Sequence, residues 1–284
     1  MKINLKKPYY TIYVYALSAG EIWINDVPIL HWVGAQTAEG VYNGAIPLNN
    51  IVLENGVFQL ECKLMPRHGN KLLDQNDARD SYSIGFDKRE VDNIKSNILV
   101  REHMKSPYGQ YIQKEGRVIN KTLENLPIYI QKTKFEVTDL PFVLNGWQKS
   151  VDLIALKEEK LLTDVLRYYR QIHSLMSSNN TSKLLEIFKE KLELQEQAFY
   201  FSEEQQISFR QTTMELSNQK LEILPLHTED LKLQIMGYGK LVRLVRLDGS
   251  AALQFKSSNP EKHSNIEFDI KLHMRNKENG LTII

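Results

Sequence analysis

The sequence predicts an all-β N-terminal half, folded as an antiparallel β-sandwich, followed by an α+β half in which three helices precede an antiparallel sheet. Three stretches carry that reading. In residues 57–64, Phe58, Leu60, Cys62 and Leu64 alternate with Gln59, Glu61 and Lys63. Successive side chains of a strand point to opposite faces, so one row is buried and the other wetted. Leu161, Val165, Tyr169, Ile172 and Met176 recur at helical spacing. Ile266, Phe268, Ile270, Leu272 and Met274 then alternate with Glu267, Asp269, Lys271 and His273. The expected division of the 284 residues is a sandwich domain over 1–152 and an α+β domain over 153–284.

Taken in order, residues 9–16 are rich in Tyr, Ile, Val and Thr, the strand-forming set. A short strand follows at 22–24, punctuated by Gly20 and by Asn25, Asp26 and Pro28. Trp32 falls in the loop after it. Strands at 46–53 and 57–64 are separated by Glu54, Asn55 and Gly56, a turn signal because Asn and Gly accept positive φ. Residues 67–80 turn polar and read as a long surface loop. Another strand opens at 81–86, and 87–121 gives no clear periodicity. Order returns at 126–137, where Ile128, Ile130, Lys132 and Lys134 share one side of a strand.

Glu158 and Glu159 stand in the first turn of the first helix, where the dipole favours acid. Ser177, Ser178, Asn179 and Asn180 break it. A second helix runs from Thr181 through Leu184, Phe188 and Leu192 towards Tyr200. Ser202 and Gln205 form a capping box that opens a third, through Ile207, Phe209 and Met214. Pro225 closes the helical block, and Leu231, Leu233 and Ile235 resume alternation. Asp248-Gly249 joins 241–247 to 251–255 as a hairpin, and Asn279-Gly280 turns the chain back on 281–284.

Several functions are disfavoured by what the chain contains. Its net charge of +1 sets up no global field for nucleic acid or anionic membrane. No apolar run is long enough for a membrane span, and the opening residues lack the apolar core of a signal peptide. The glycosylation triplets at Asn120 and Asn179 therefore read as chance matches. Cys62, the single cysteine, rules out an internal disulfide and fits a cytoplasmic location. Its place on an apolar row makes it a core residue. Phosphate-loop, dinucleotide, nucleophile-elbow and zinc-protease motifs do not occur. No cofactor or metal is expected.

The candidate sites are few. His173 lies four residues after Tyr169 beside the first helix's apolar stripe, as a general base in a pocket or as a boundary histidine bonded to a carbonyl. His227, with Glu229 and Asp230, reads as a solvated turn, and His273 as an exposed residue on the polar row of its strand. Asp74, Asn76, Asp77 and Asp80 offer oxygens to calcium, but Ala78 and Arg79 break the EF-hand spacing. Lys240, Arg243 and Arg246 read as a solvated strand face. Tyr9, Tyr13 and Tyr15 share one face of the first strand, and Trp23 points away from Ile22 and Ile24. With Trp32 nearby, these rings form a candidate platform for a sugar or a protein, since Tyr and Trp are enriched at interfaces.

Residues 22–28, 46–56 and 57–64 together resemble a recurring phrase of jelly-roll domains attached to glycosidases. There a strand with an Asn-Gly-type turn precedes a strand opened by Gly-Asn. Asn25-Asp26 and Gly56-Val57-Phe58-Gln59-Leu60 stand in those places, with Val57 where the phrase has Asn. The resemblance implies a fold and not sugar binding. The order of helices before sheet in the second half resembles the nuclear-transport-factor-like cone, which implies a pocket in that domain. The reading that follows is a non-enzymatic binding protein, of a bacterial accessory or toxin-immunity kind, acting through a protein partner. Its alternatives are glycan recognition by the sandwich, or a small-molecule enzyme or carrier with His173 in a pocket.

Overall fold

The computed structural model describes residues 6–73, 83–90, 93–98, 104–105, 110–114, 117–121, 126–217, 221–259 and 263–284. The chain forms two compact units, Met1–Val143 with Glu261–Ser264, and Leu144–Pro260 with Asn265–Ile284.

The first unit is a β-sandwich. One antiparallel sheet runs in the order β4 (Tyr42–Pro47), β1 (Pro8–Ala16), β6 (Ser83–Glu90), β7 (Asn93–Ile98), with β8 (Met104–Lys105) also on β6. The other runs β11 (Tyr129–Val137), β5 (Gly56–Met65), β2 (Ala19–Ile24), β3 (Val27–Trp32). A separate hairpin pairs β9 (Gln110–Lys114) with β10 (Arg117–Lys121). The alternation read in β5 holds, with Phe58, Leu60, Cys62 and Leu64 all buried. They join Ile12 and Val14 of β1, Ile22 of β2 and Phe135 of β11 in one core. Two inner faces that share a core put their outer faces on opposite sides.

Two expectations in this unit are corrected. Trp32 is the last residue of β3 and not part of a loop. The β2–β3 turn is made by Asn25 and Asp26 alone, both at positive φ (46° and 66°), so the second strand starts sooner than the proline suggests. The Asn25 side chain also accepts a hydrogen bond from the Gln59 backbone (2.8 Å). The strand expected at 46–53 is instead β4 at Tyr42–Pro47, followed by a turn. The reason is Asn49, which is 0% exposed. Its Oδ1 accepts the Tyr10 N–H (2.8 Å) and its Nδ2 donates to the Pro8 carbonyl (2.9 Å). One amide thus continues the ladder on β1 where the backbone has left it. Replacing Asn49 with Ala strands buried backbone groups and is expected to cost about 2–3 kcal/mol in chemical denaturation. A loss below about 0.5 kcal/mol would show that the amide is dispensable.

The second unit opens its helical block with α1 (Glu158–Ser177), α2 (Thr181–Ile187), α3 (Lys189–Ala198) and α4 (Glu203–Ser217). The single second helix expected over 181–200 is therefore two, interrupted at Phe188, whose ring stays buried. The Ser202–Gln205 capping box is present in both directions (2.9 and 3.3 Å). A four-stranded antiparallel sheet follows in the order β12 (Leu231–Met236), β13 (Leu241–Arg246), β16 (Leu272–Met274), β17 (Leu281–Ile283). A two-stranded ribbon joins β14 (Leu253–Phe255) to β15 (Ile266–Phe268).

The sheet corrects two expectations. Asp248-Gly249 links strands of different sheets, held by one bridge between Val245 and Ala251. The long strand read over 266–274 is broken between Phe268 and Leu272, where Asp269 turns to Arg243 and Lys271. Leu161, Val165, Tyr169 and Ile172 of α1 fill the space over Val242, Leu244, Leu272 and Ile283. The helix-facing side of this sheet is thus a packed apolar core. Among the described residues, no helix is long and apolar enough to cross a membrane.

Candidate functional site

The aromatic residues picked out from the sequence do not form one platform. Tyr9, Tyr13 and Tyr15 do line the outer face of β1, with Tyr13 41% exposed. The Tyr13 hydroxyl donates to Asn43 Oδ1 on β4. Trp23 lies on β2, in the other sheet, on its outer face opposite Glu61. There it neighbours a charged ladder, Glu61 with Lys132 (2.7 Å) and Glu21 with Lys63 (3.3 Å) and His31 (2.9 Å). Trp32 stands edge-on to Tyr42 with ring centres 5.6 Å apart, its buried indole N–H without a partner among the described residues.

The histidines separate in the same way. His173 is half-buried on α1, and its Nε2 donates to the Leu224 carbonyl (3.0 Å). That is the boundary arrangement weighed against a general base, and its other nitrogen, Nδ1, lies 3.5 Å from Ser177 Oγ on the same helix. His227 sits in an exposed turn with Glu229 and Asp230. Among the described residues no three His, Cys, Asp or Glu side chains converge to hold a metal. Asp74, Asn76, Asp77 and Asp80 lie outside the described residues. Arg243, expected on a solvated face, is 5% exposed. Arg246 points its guanidinium at the carbonyls of Pro225 and Ala252 (3.3 and 3.2 Å).

The largest correction is His273, expected to be exposed and found at 0%. All three residues of β16 are buried, because neighbours cover both of its faces and polar-row logic fails there. Ser150 Oγ lies 2.8 Å from His273 Nδ1, and Glu190 Oε1 lies 3.0 Å from Nε2, off the axis of its N–H. Glu190 stands in the first turn of α3, where the helix dipole favours a carboxylate. It also takes Arg275 Nε and Nη2 (2.9 and 2.5 Å) on Oε1 and Thr282 Oγ1 (3.0 Å) on Oε2. Arg275 is held in turn by Asn145 Oδ1 (3.0 Å) and by the carbonyls of Asn145 and Gly146. Burial pushes the Glu190 carboxyl up, but contact with His273 and the charge of Arg275 outweigh it and hold the group at about 2.

Glu190 and Arg275 form part of the floor of an open cleft of about 510 Å³, walled by Tyr168, Ile187, Glu193 and Thr282 among others. Ser150, His273 and Glu190 have the composition of a nucleophilic triad but not its arrangement. A triad needs the hydroxyl at the substrate and the acid behind the histidine. Here the acid meets the cleft, while Ser150 is 4% exposed. Every oxygen of Glu190 is already engaged. The row therefore acts as a clasp tying 145–150, α3, β16 and β17 together. No local pattern announces it, because its contacts join residues 85 and 123 positions apart.

Comparison with family models, curated proteins and solved structures finds no match for this chain.

Proposed function

We propose that the protein is a non-enzymatic binding protein that works by protein–protein contact, of the accessory or immunity kind, and that the contact face is the tyrosine row of β1. The observation carrying this reading is Tyr13, 41% exposed in mid-strand between Tyr9 and Tyr15 on the same face. In register beside Tyr13 stand only Ala45 on β4 and Gly85 on β6, so its ring projects above small neighbours. Tyrosine on a rigid strand offers large amphipathic area at low entropic cost, which is why it recurs at protein interfaces. The clasp around Glu190 supports the same reading, since its charged groups are spent on internal pairs. Buried Cys62, not in a disulfide, fits the cytoplasmic setting of the proposal.

The test compares wild type with the triple variant Tyr9→Ala, Tyr13→Ala, Tyr15→Ala, after far-UV circular dichroism shows both folded. Cross-linked purification from the native cell should yield one protein near 1:1 with wild type and lose it in the variant. A glycan panel followed by Trp23 and Trp32 fluorescence runs alongside. Retention of the partner by the variant, or a saturable glycan response with no protein captured, would overturn the reading.

A further inference from the structure

The cleft over the Glu190 clasp, at about 510 Å³, falls in the size range of small-ligand sites. Its strongest charges are already answered. An arginine has five N–H groups to give. Arg275 spends them on Glu190 Oε1 (2.9 and 2.5 Å), on Asn145 Oδ1 (3.0 Å) and on the carbonyls of Asn145 and Gly146. Glu186, also on the lining, holds Lys183 (2.6 Å). An anion therefore meets no free arginine here, and a cation meets Glu190 and Glu186 already paired.

What stays open is hydrogen-bonding capacity. Lys189 Nζ stands 3.8 Å from Glu193 Oε1, one turn along α3, close enough for attraction and too far for a hydrogen bond. Both groups line the cleft, and among the described residues neither side chain is hydrogen-bonded. The same holds for the Tyr168 hydroxyl and the Gln197 amide. Burial, and then the charge of Glu190, raise the Tyr168 pKa, which keeps that hydroxyl a donor. A ligand hydroxyl both donates and accepts, so one such group can donate to Glu193 while it accepts from Lys189. An ammonium in that place would repel Lys189, and a carboxylate would repel Glu193. Ile187, Leu194 and the Tyr168 ring supply apolar surface beside these polar groups.

We propose that this cleft binds a neutral saccharide of one or two rings, with one hydroxyl bridging Lys189 and Glu193 and a C–H face of the sugar against Tyr168. A sugar matches the lining on both counts, since its ring edge is all hydroxyl and its ring face is largely apolar. The site lies wholly in the second unit, so a sugar bound here and a protein held on the tyrosine row of β1 are compatible results.

The test is calorimetric titration of the full chain with glucose, galactose, mannose, N-acetylglucosamine, cellobiose and lactose. At least one of these should bind saturably. The amino sugar and the uronic acid of the same configuration should bind about tenfold more weakly or worse, because each sets a like charge against one member of the Lys189–Glu193 pair. Lys189→Ala and Glu193→Ala should each weaken the neutral sugar by about tenfold, the usual worth of a hydrogen bond to a charged group. Both side chains are largely exposed, at 70% and 44%, so these variants should keep the wild-type melting temperature within a few degrees. Tyr168→Phe, which keeps the ring, should lose less than either. The Tyr9, Tyr13, Tyr15 triple variant should bind the sugar as wild type does. Silence across the whole panel would overturn the proposal. So would a charged analogue that binds as tightly as the neutral sugar, wild-type affinity in both α3 variants, or loss of the sugar in the triple tyrosine variant.

Discussion

Glu190→Ala is expected to destabilise the second unit by about 2–4 kcal/mol in urea unfolding. Removing one member of a fully buried ion pair typically costs about 3–5 kcal/mol, because the partner is left charged in a poor solvent. Glu190 is 30% exposed on its cleft side, so water recovers part of that loss. What remains is large because one carboxylate serves three partners, Arg275, His273 and Thr282. The arginine keeps its bonds to Asn145 and Gly146, which anchors it where its charge is no longer answered. Glu190→Gln should cost less, since it preserves an acceptor for Thr282 while losing the charge. The double variant Glu190→Ala, Arg275→Met should cost less than the sum of its parts, as expected for groups in one network. If Glu190→Ala unfolds within about 0.5 kcal/mol of wild type, the clasp does not hold the unit together.

What could be read in the sequence followed from how local its physical cause is. The β5 alternation, the α1 stripe and the Ser202–Gln205 cap all depend on neighbours a few positions away, and all three are present. Failures came where distant groups decide. Asn49 falls inside the strand expected at 46–53 but lies in the turn after β4, where its value is to replace a strand's hydrogen bonds to β1, 39 positions away. Phe188 fits the apolar stripe of a continuous helix, yet the chain interrupts the helix there. Ile266 to Met274 alternate without fault, but Asp269 finds cations off the strand and the ladder changes sheets. His273 inherits its burial from that break. The aromatic platform failed for a topological reason: β1 and β2 are consecutive in the chain, and they lie in different sheets. Side-chain alternation gives the face of a strand and says nothing about which sheet the strand joins.

Acid should destabilise both units over the same range, through different carboxylates. In the first unit, burial raises the Glu21 pKa, while the hydrogen bond to His31 and the charge of Lys63 overcome it and leave the group at about 2. In the second, burial likewise opposes Lys271 and Arg243, which hold Asp269 at about 2, and His273 and Arg275 hold Glu190 at about 2. Unfolded, these carboxyls titrate near their ordinary values of 4.5, 3.8 and 4.5. Between the two sets of values the unfolded chain binds more protons than the folded one, so stability falls as pH falls. The contribution is complete above about pH 5 and is lost towards about pH 2. For Glu21, 14% exposed, it is on the order of 3 kcal/mol, with somewhat less from the two more exposed groups. Urea midpoints taken from pH 6 to pH 2.5 would show this. Trp23 and Trp32 report the first unit and Trp147 the second, so Trp→Phe variants can separate the profiles. Glu21→Gln should flatten the curve of the first unit and leave that of the second intact. Midpoints that hold steady from pH 6 to pH 3 would mean these pairs form in the unfolded chain as well, or contribute nothing to folding.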